Sequence, residues 1–497
     1  MENRRSASFG LGMNIFPVHN VSMNMPKKPS SALSRRDFLR TTAVAAAATA
    51  APLIIPSRLL GADAPSNRVR VGHIGCGRIA QSHDMVGVAG SGLAESVAVC
   101  DLDSRRAASG KVCIERLYKG KLQNPPKVDV YTNYRELLAR KDIDAVTIST
   151  PDHWHAELAL AAIKAGKDVY LQKPMTMTHE EGVILRDTIV KTDRIFQLGS
   201  QQRSWGPNEQ FRKACEFVRS GRVGQLKQVE IGLPTDPTAP DDPEQPVPSN
   251  LNYEMWLGPT PNVYYTEQRV HPQKLDKNGQ PDVSSRPGWL RNDAYCLGMI
   301  TGWGAHHFDV AHWGMNCELS GPSKAEGKGE FPTNKIWNVH GAYHIELLYP
   351  GNIKLTVSDK FPNGIRFIGD EGWIFVSRDA QSATASDPTS APTKLKSLDA
   401  SNAKLLDPNG VTVQFTHSTS HHKNWLECVK SRKTPLVPAP IAERANAACI
   451  VSWISMKLAR PLTWDVKTER FVNDAQANAM LSRPERGSYG AVKLSKA

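Results

Sequence analysis

Cysteine is scarce, with eight residues in 497, at 76, 100, 113, 215, 296, 317, 428 and 449, and no C-x-x-C pair. That excludes a disulfide-stapled scaffold, zinc fingers and thioredoxin-like redox chemistry. Long apolar runs are absent beyond the first sixty residues, which excludes a polytopic membrane protein. Basic runs are absent as well. The net charge is +12, yet residues 1–64 hold eight Lys and Arg against three acids, and the remaining excess is spread over more than 400 residues. So diffuse an excess builds no nucleic-acid arm, and no nucleic-acid partner is expected. No internal repeat is visible. With 40% apolar and 22% charged residues the composition is that of an ordinary globular chain, long enough for two large domains or three of average size.

The N-terminus reads as an address. Ser34-Arg35-Arg36-Asp37-Phe38-Leu39-Arg40 precedes an Ala-rich apolar stretch from Ala43 to Ile55. Twin arginines, a short apolar region and then small residues are the order of a twin-arginine export signal. The apolar part is too short and too rich in Ala for a spanning helix, and no Cys stands near its end to take a lipid, so no stable membrane anchor is expected. Ala62-Asp63-Ala64 offers a cleavage site, and Met23 or Met25 an alternative start. Residues 1–64 are therefore expected to be signal and leader. The partner this implies is the twin-arginine export machinery, and the destination is the periplasm or the exterior.

Arg68–Ile74 alternates polar and apolar residues as a first strand does. Gly75-Cys76-Gly77-Arg78-Ile79-Ala80 follows, a G-x-G-x-x-A pattern. The first glycine permits the tight turn, the second lets backbone approach a pyrophosphate, and Ala80 lets the next helix pack close to the strand. A second strand, Ser96–Cys100, ends at Asp101, which stands 24 residues after Gly77. A carboxylate there binds ribose hydroxyls and repels a 2′-phosphate, which favours NAD, while Arg105 and Arg106 leave NADP possible. Further strands at 143–149, 168–171 and 195–198 alternate with helices at 134–139, 157–165 and 178–192. Residues 65–203 thus read as a doubly wound parallel sheet, an α/β Rossmann domain. Ligands of such sheets lie beyond the carboxyl ends of the strands, so the segments 150–155, 172–174 and 199–203 should ring one cleft.

These pieces resemble the glucose–fructose oxidoreductase, inositol dehydrogenase and rhizopine-catabolism (Gfo/Idh/MocA) family. The likeness is carried by GCGRIA, the acid of CDLD, TPDHWHAELALAAIKAGKDVYLQKP and TGWGAHHFDVAHWGM, and runs over about residues 68–470. It implies a cofactor site of Gly75, Gly77, Arg78, Ile79, Ala80, Asp101, Thr150, Pro151, His155 and Lys173. It also implies that Lys173 lies between nicotinamide and substrate, where an ammonium can hydrogen-bond the reacting hydroxyl. Two departures stand out. The family's Glu-Lys-Pro is Gln172-Lys173-Pro174 here, and the acid four residues before the site histidine is Gly302. His306 is then favoured as the base, with His307 its companion candidate, since imidazole suits proton removal near neutral pH. Gln201, Arg203, Trp303 and Asp309 are the candidate substrate contacts.

From residue 204 the rhythm changes, and 204–497 reads as an α+β substrate-binding and oligomerisation domain. A helix at 210–220, a strand at 226–231 and a long Pro- and Asp-rich loop at 234–248 lead to Trp256, Tyr264, Tyr265, Arg269, His271, Arg286, Trp289 and Arg291. That loop and its aromatic residues suit a carbohydrate wall or a lid. Strands near 338–349, 352–358, 364–368 and 373–377 with tight turns suggest an open, largely antiparallel sheet, whose free face the resemblance assigns to a dimer or tetramer. Helices at 420–431 and 441–458 close the chain. His417, His421 and His422 have no acid or Cys to complete a metal site, and none is expected.

The expected function is that of an exported NAD(P)-dependent oxidoreductase acting on a hydroxyl of a sugar, cyclitol or glycoside with a tightly bound cofactor. Two alternatives stay open: an NAD-dependent glycosidase working by transient oxidation and elimination, and a Rossmann sensor or scaffold without catalysis. For the leader, a reporter fused to residues 23–64 is expected to lose export when Arg35 and Arg36 are both changed to Lys; export unchanged by Arg35→Lys/Arg36→Lys refutes the twin-arginine reading.

Overall fold

The computed structural model describes residues 67–497 apart from 123, 205, 207–208, 239 and 379–389. The leader reading lies outside the described residues. Strands β1 (Val69–Ile74), β2 (Ala94–Cys100), β3 (Asp129–Tyr131), β4 (Ala145–Ile148), β5 (Asp168–Leu171) and β6 (Phe196–Leu198) form a parallel sheet in the order β3-β2-β1-β4-β5-β6. Every residue of β4 and β5 is buried, as expected of a sheet covered on both faces. The strand order reverses between β1 and β4, so a crevice opens at their carboxyl ends. The helix after the glycine turn starts as a wide π-type turn, Ala80–Asp84, before regular α-helix at Met85–Gly90. The helix His179–Val190 begins with a reciprocal cap: Thr178 accepts from the Glu181 amide, and the Glu181 side chain accepts from that of Thr178.

The second sheet has nine strands: β7 (Leu226–Gly232), β8 (Lys324–Gly329), β9 (Tyr343–Tyr349), β10 (Ile353–Ser358), β11 (Gly364–Gly369), β12 (Gly372–Val376), β13 (Leu398–Ala400), β14 (Leu462–Asp465) and β15 (Arg470–Phe471). Their order is β13-β12-β11-β7-β10-β9-β8-β14-β15. Only the β7–β10 pair is parallel among the described strand pairs of this sheet. Burial along β9 alternates: Ile345 and Leu347 belong to the core, whereas His344 and Glu346 are exposed. The buried face packs on the helices Gly304–Met315 and Ala439–Leu458.

Two differences from the sequence expectation have simple causes. β9 starts at 343 because Asn338 and Val339 donate their amides to the Arg291 carbonyl instead of to a neighbouring strand. β8, with the sequence Lys-Ala-Glu-Gly-Lys-Gly, has little intrinsic strand preference and exists because β9 and β14 pair with it on either side. The helix Gly304–Met315 carries His306, His307 and Asp309 together.

Candidate active site

The carboxyl ends of β1, β4 and β5 open onto a cleft. Gly75, Gly77, Arg78, Ile79, Asp101, Thr150, Pro151 and Lys173 all line it; Ala80 is fully buried behind the turn. Gly75 has φ +89°, and a Cβ there would stand 2.5 Å from the Ser149 carbonyl oxygen, so this turn admits only glycine. Asp101 fixes the turn, since its Oδ2 accepts from the Cys76 amide at 2.8 Å and its Oδ1 from the Asp103 amide at 2.9 Å. Each oxygen retains a lone pair for a ribose hydroxyl. Burial raises its pKa, opposed first by the Arg106 charge.

Arg106 carries more of this site than the sequence reading assigned to it. Its side chain is 8% exposed, lines the cleft, and brings a guanidinium nitrogen to 3.3 Å from where a Gly77 Cβ would be. Its Nε is buried without a partner among the described residues, as is Thr150 Oγ1. A buried donor of this kind costs roughly 1–3 kcal/mol when unpaired. The open glycine turn, the unpaired Arg106 Nε and the Thr150 hydroxyl together fit an anionic dinucleotide. The signal for Arg106 was its place in the first turn of the helix Ser104–Tyr118, just after Asp101.

The segment 234–291 covers this cleft. Met255, Trp256, His271, Pro287, Trp289 and Leu290 contribute to its lining. His271 Nε2 donates to Asp103 Oδ2 at 2.9 Å, Gln273 Nε2 donates to the same oxygen at 3.2 Å, and the Asn252 amide donates to the Leu102 carbonyl at 3.0 Å. At the other side the Trp256 carbonyl accepts from Trp154 Nε1 at 3.0 Å. Of the residues considered for a carbohydrate wall, Trp256, His271 and Trp289 face the dinucleotide crevice. Arg269 lies over the Tyr264 ring instead, and Arg286 pairs with Asp236.

Lys173 lies at the end of β5, before a cis bond to Pro174. Its Nζ donates to the Gly302 carbonyl at 2.8 Å. The residue that departs from the family pattern therefore holds the lysine through its backbone, and a Cβ on Gly302 would meet nothing within 4 Å. Burial pushes the Lys173 pKa down to about 8; the Asp152 carboxylate opposes that shift, and the charges of Arg378 and Arg78 reinforce it. Asp152, 4% exposed with an unpaired Oδ2, is pushed by burial up to about 7, opposed by Lys173. Sequence reasoning placed Asp152 in a cleft-ringing segment without giving it a role. The TPDHWH pattern was its signal. Arg378, over the Trp303 ring at 4.7 Å, left none, since it follows β12 at a distant point of the chain.

Several expectations are corrected here. His306, the expected base, is buried near Lys173 on the helix Gly304–Met315: desolvation and then the charges of Arg378 and Lys173 hold its pKa well below the usual range, its ring packs edge-on to Trp303, and its Nδ1 has no partner among the described residues. His307 is structural, with Nδ1 3.2 Å from the Gly232 carbonyl at the end of β7. His155 does not line the cleft. Its Nδ1 is 2.6 Å from the Pro174 carbonyl and its Nε2 3.1 Å from that of Thr150, and burial pushes its pKa down to about 4, so two carbonyls compete for one ring proton. It ties the Thr150 and Lys173 loops together from behind. Arg203 and Asp309 are withdrawn from substrate. Two parallel 2.8 Å bonds join them, a third from Arg203 reaches Glu318 at 2.7 Å, and both are buried. Trp303 serves as the platform under Arg378, and Gln201 Nε2 donates to the Tyr170 hydroxyl at 3.3 Å.

Comparison with known proteins agrees with this architecture. Residues 69–200 match the oxidoreductase family with an NAD-binding Rossmann fold, GFO_IDH_MocA, and residues 239–276 match its C-terminal alpha/beta domain. Residues 32–52 match the twin-arginine translocation signal. Glycosyl hydrolase family 109 protein 1 of Shewanella sp. (strain ANA-3) is 33% identical over 214 residues, 39% of this chain and 44% of that protein. The alpha-N-acetylgalactosaminidase of Shewanella oneidensis is 35% identical over 173 residues, 34% of this chain and 36% of that protein. The chain thus spans less than half the length of these curated relatives. Among solved structures, the WlbA dehydrogenase of Bordetella pertussis in complex with NADH and UDP-GlcNAcA has a TM-score of 0.54 at 14% identity, covering 80% of this chain and 99% of that one. The aldose-aldose oxidoreductase of Caulobacter crescentus gives 0.54 at 15% identity with the same coverages. These likenesses concern the fold.

Two outcomes are expected from this geometry. Arg106→Ala should weaken NAD uptake, followed by fluorescence titration, by about tenfold or more, the value of one charge-assisted hydrogen bond; affinity unchanged removes Arg106 from the site. Arg203→Met strands Asp309 and should lower unfolding free energy by about 3–5 kcal/mol in denaturant titration without weakening NAD uptake.

Proposed function

Because its nucleotide-binding and C-terminal domains belong to the Gfo/Idh/MocA oxidoreductase family, we propose that this protein is an exported, periplasmic NAD-dependent oxidoreductase of a sugar, cyclitol or glycoside hydroxyl. The observation that carries the reading is Lys173, a desolvated amine held at the nucleotide cleft by the Gly302 carbonyl at 2.8 Å, with Asp152 beside it. When bound, NAD supplies the hydride acceptor. Gly75, Gly77, Arg106, Asp101 and Thr150 would hold it.

Lys173 does the proton work. As a neutral amine its Nζ accepts the proton of the substrate hydroxyl; as an ammonium it hydrogen-bonds the same oxygen and stabilises negative charge there. A lysine at its ordinary pKa would be almost wholly protonated near neutrality and a poor base; burial brings Lys173 to about 8 and corrects this. Asp152 provides the second exchangeable proton. The segment 234–291 lies over the cleft, a placement that suits cofactor retention in an exported enzyme with no free nicotinamide pool. The oxidoreductase therefore keeps its cofactor through turnover and returns the electrons to a second substrate.

A second reading draws on the family 109 glycosyl hydrolase similarity: a redox-neutral glycosidase in which the same lysine would handle the hydroxyl proton of a transiently oxidised sugar. The Lys173 assignment is common to both.

The mature protein, denatured, should release NAD(H) identifiable by mass. Native protein given candidate sugars should show the reduced-nicotinamide absorbance band; released aglycone without a lasting band would instead support the glycosidase. No bound nucleotide and no uptake would favour a sensor or scaffold and overturn the proposal. Lys173→Met should lower turnover by about a hundredfold or more. The turnover rate of the parent should rise with pH and level off above about 8, because the base form of Lys173 accumulates as pH passes its pKa; a rate that falls over that interval contradicts the lysine base.

A further inference from the structure

Asp84 is fully buried at the end of the wide turn that follows the glycine loop, and it faces three separate parts of the chain. Gln172 Nε2 donates to both of its oxygens, at 2.8 and 3.1 Å. The Ser149 hydroxyl donates to Oδ2 at 2.6 Å, and His422 Nε2 from the helix His421–Ser431 lies 2.8 Å from Oδ1. The place of His422 is built for this contact. Its ring stacks on Tyr170 at 4.5 Å, and a Cβ on Gly87 would come within 2.2 Å of its Nδ1.

Two of these partners carry the functional loops. Gln172 immediately precedes Lys173, and its own amide donates to the Ile148 carbonyl at 2.9 Å. Ser149 stands three residues before Asp152, and its carbonyl is the wall that the Gly75 turn meets. One carboxylate therefore bonds the end of β4 to the end of β5, and with them the two sides of the Lys173–Asp152 pair. The amide of Gln172 is the polarity this arrangement requires, because a glutamate at 172 would set two carboxylates face to face in a dry interior.

We infer that Asp84 is the positioning acid of the site, acting on Lys173 through the amide of Gln172 and on Asp152 through the hydroxyl of Ser149. This rests on reading Lys173 as the proton-handling residue. Asp84 keeps its negative charge one side chain further from Lys173 than an acid at 172 would, so Lys173 has a fixed position without a carboxylate on the adjoining residue. The groups facing Asp84 are His421 and His422 from the helix His421–Ser431, His73 from β1, Tyr170 from β5 and the neighbouring His83. Those facing Lys173 are Asp152, Arg378, Cys296, Arg78, His306 and His155.

The test compares four full-length mature proteins: the parent, Asp84→Asn, Gln172→Glu and the exchange Asp84→Asn/Gln172→Glu. Thermal melting reports whether 84 and 172 act as a pair. The pH dependence of Lys173 acylation by trace acetic anhydride, read by mass spectrometry, reports the lysine itself and needs no substrate. Gln172→Glu should melt well below the parent. In the exchange the amide and the carboxylate trade places, so the hydrogen bond between positions 84 and 172 is restored with its direction reversed. The exchange should recover much of the lost stability and move the Lys173 acylation midpoint up by about one pH unit, since the carboxylate has come nearer. An exchange no more stable than Gln172→Glu overturns the pairing. Recovered stability with one Lys173 midpoint in all four proteins makes Asp84 merely structural and equally overturns the inference. A wrong catalytic reading would show elsewhere, as unchanged turnover in Lys173→Met.

Discussion

The free-energy cost of keeping a lysine ammonium out of water is the constraint around which this site is arranged. Lys173 sits where strand ends converge, and almost every nearby feature acts on its charge. The Gly302 carbonyl and Asp152 lower the cost of the charged form; burial and the guanidinium groups of Arg378 and Arg78 raise it. The balance leaves an amine able to give or take a proton near neutral pH, as a dehydrogenase or a redox-neutral glycosidase both require.

The same constraint accounts for the roles of the neighbouring histidines. Burial, reinforced by Lys173 in both cases and by Arg378 at His306, lowers the pKa of His306 and His155, and His155 uses its ring to hold the Pro174 and Thr150 carbonyls. The two departures from the family pattern then make sense together. Gly302 offers a carbonyl where an acidic side chain is usual, and Gln172 offers an amide to Asp84 where a glutamate is usual. The acids near the lysine are Asp152 and Asp84, each carried by a different turn of the same Rossmann domain.

The cover over the dinucleotide cleft joins the two halves of the molecule. His271 and Gln273 converge on Asp103, the cap of the helix that also presents Arg106, so this end of the cleft is bridged by side chains distant in sequence. The 234–291 segment was legible in the sequence as long, aromatic and irregular. Its face could not be read, because irregular backbone has no period from which to infer one.

Local pattern was enough to reveal the glycine turn, Asp101, the alternation of strands and helices, the lysine after β5 and the export signal, since each depends on residues close in the chain. Residues distant in sequence decided the rest. Arg203 and Asp309 looked like substrate contacts because both flank the cleft in sequence, and only the packing of the helix Gly304–Met315 shows them satisfying each other. Asp84 and Arg378 carried no local signal, because a buried charge is defined by what surrounds it. Sequence alone determined the fold and the cofactor crevice through short-range periodicity and backbone sterics; tertiary structure alone decided which ionisable groups lose their water and which partners they meet, and that is what sets their chemistry.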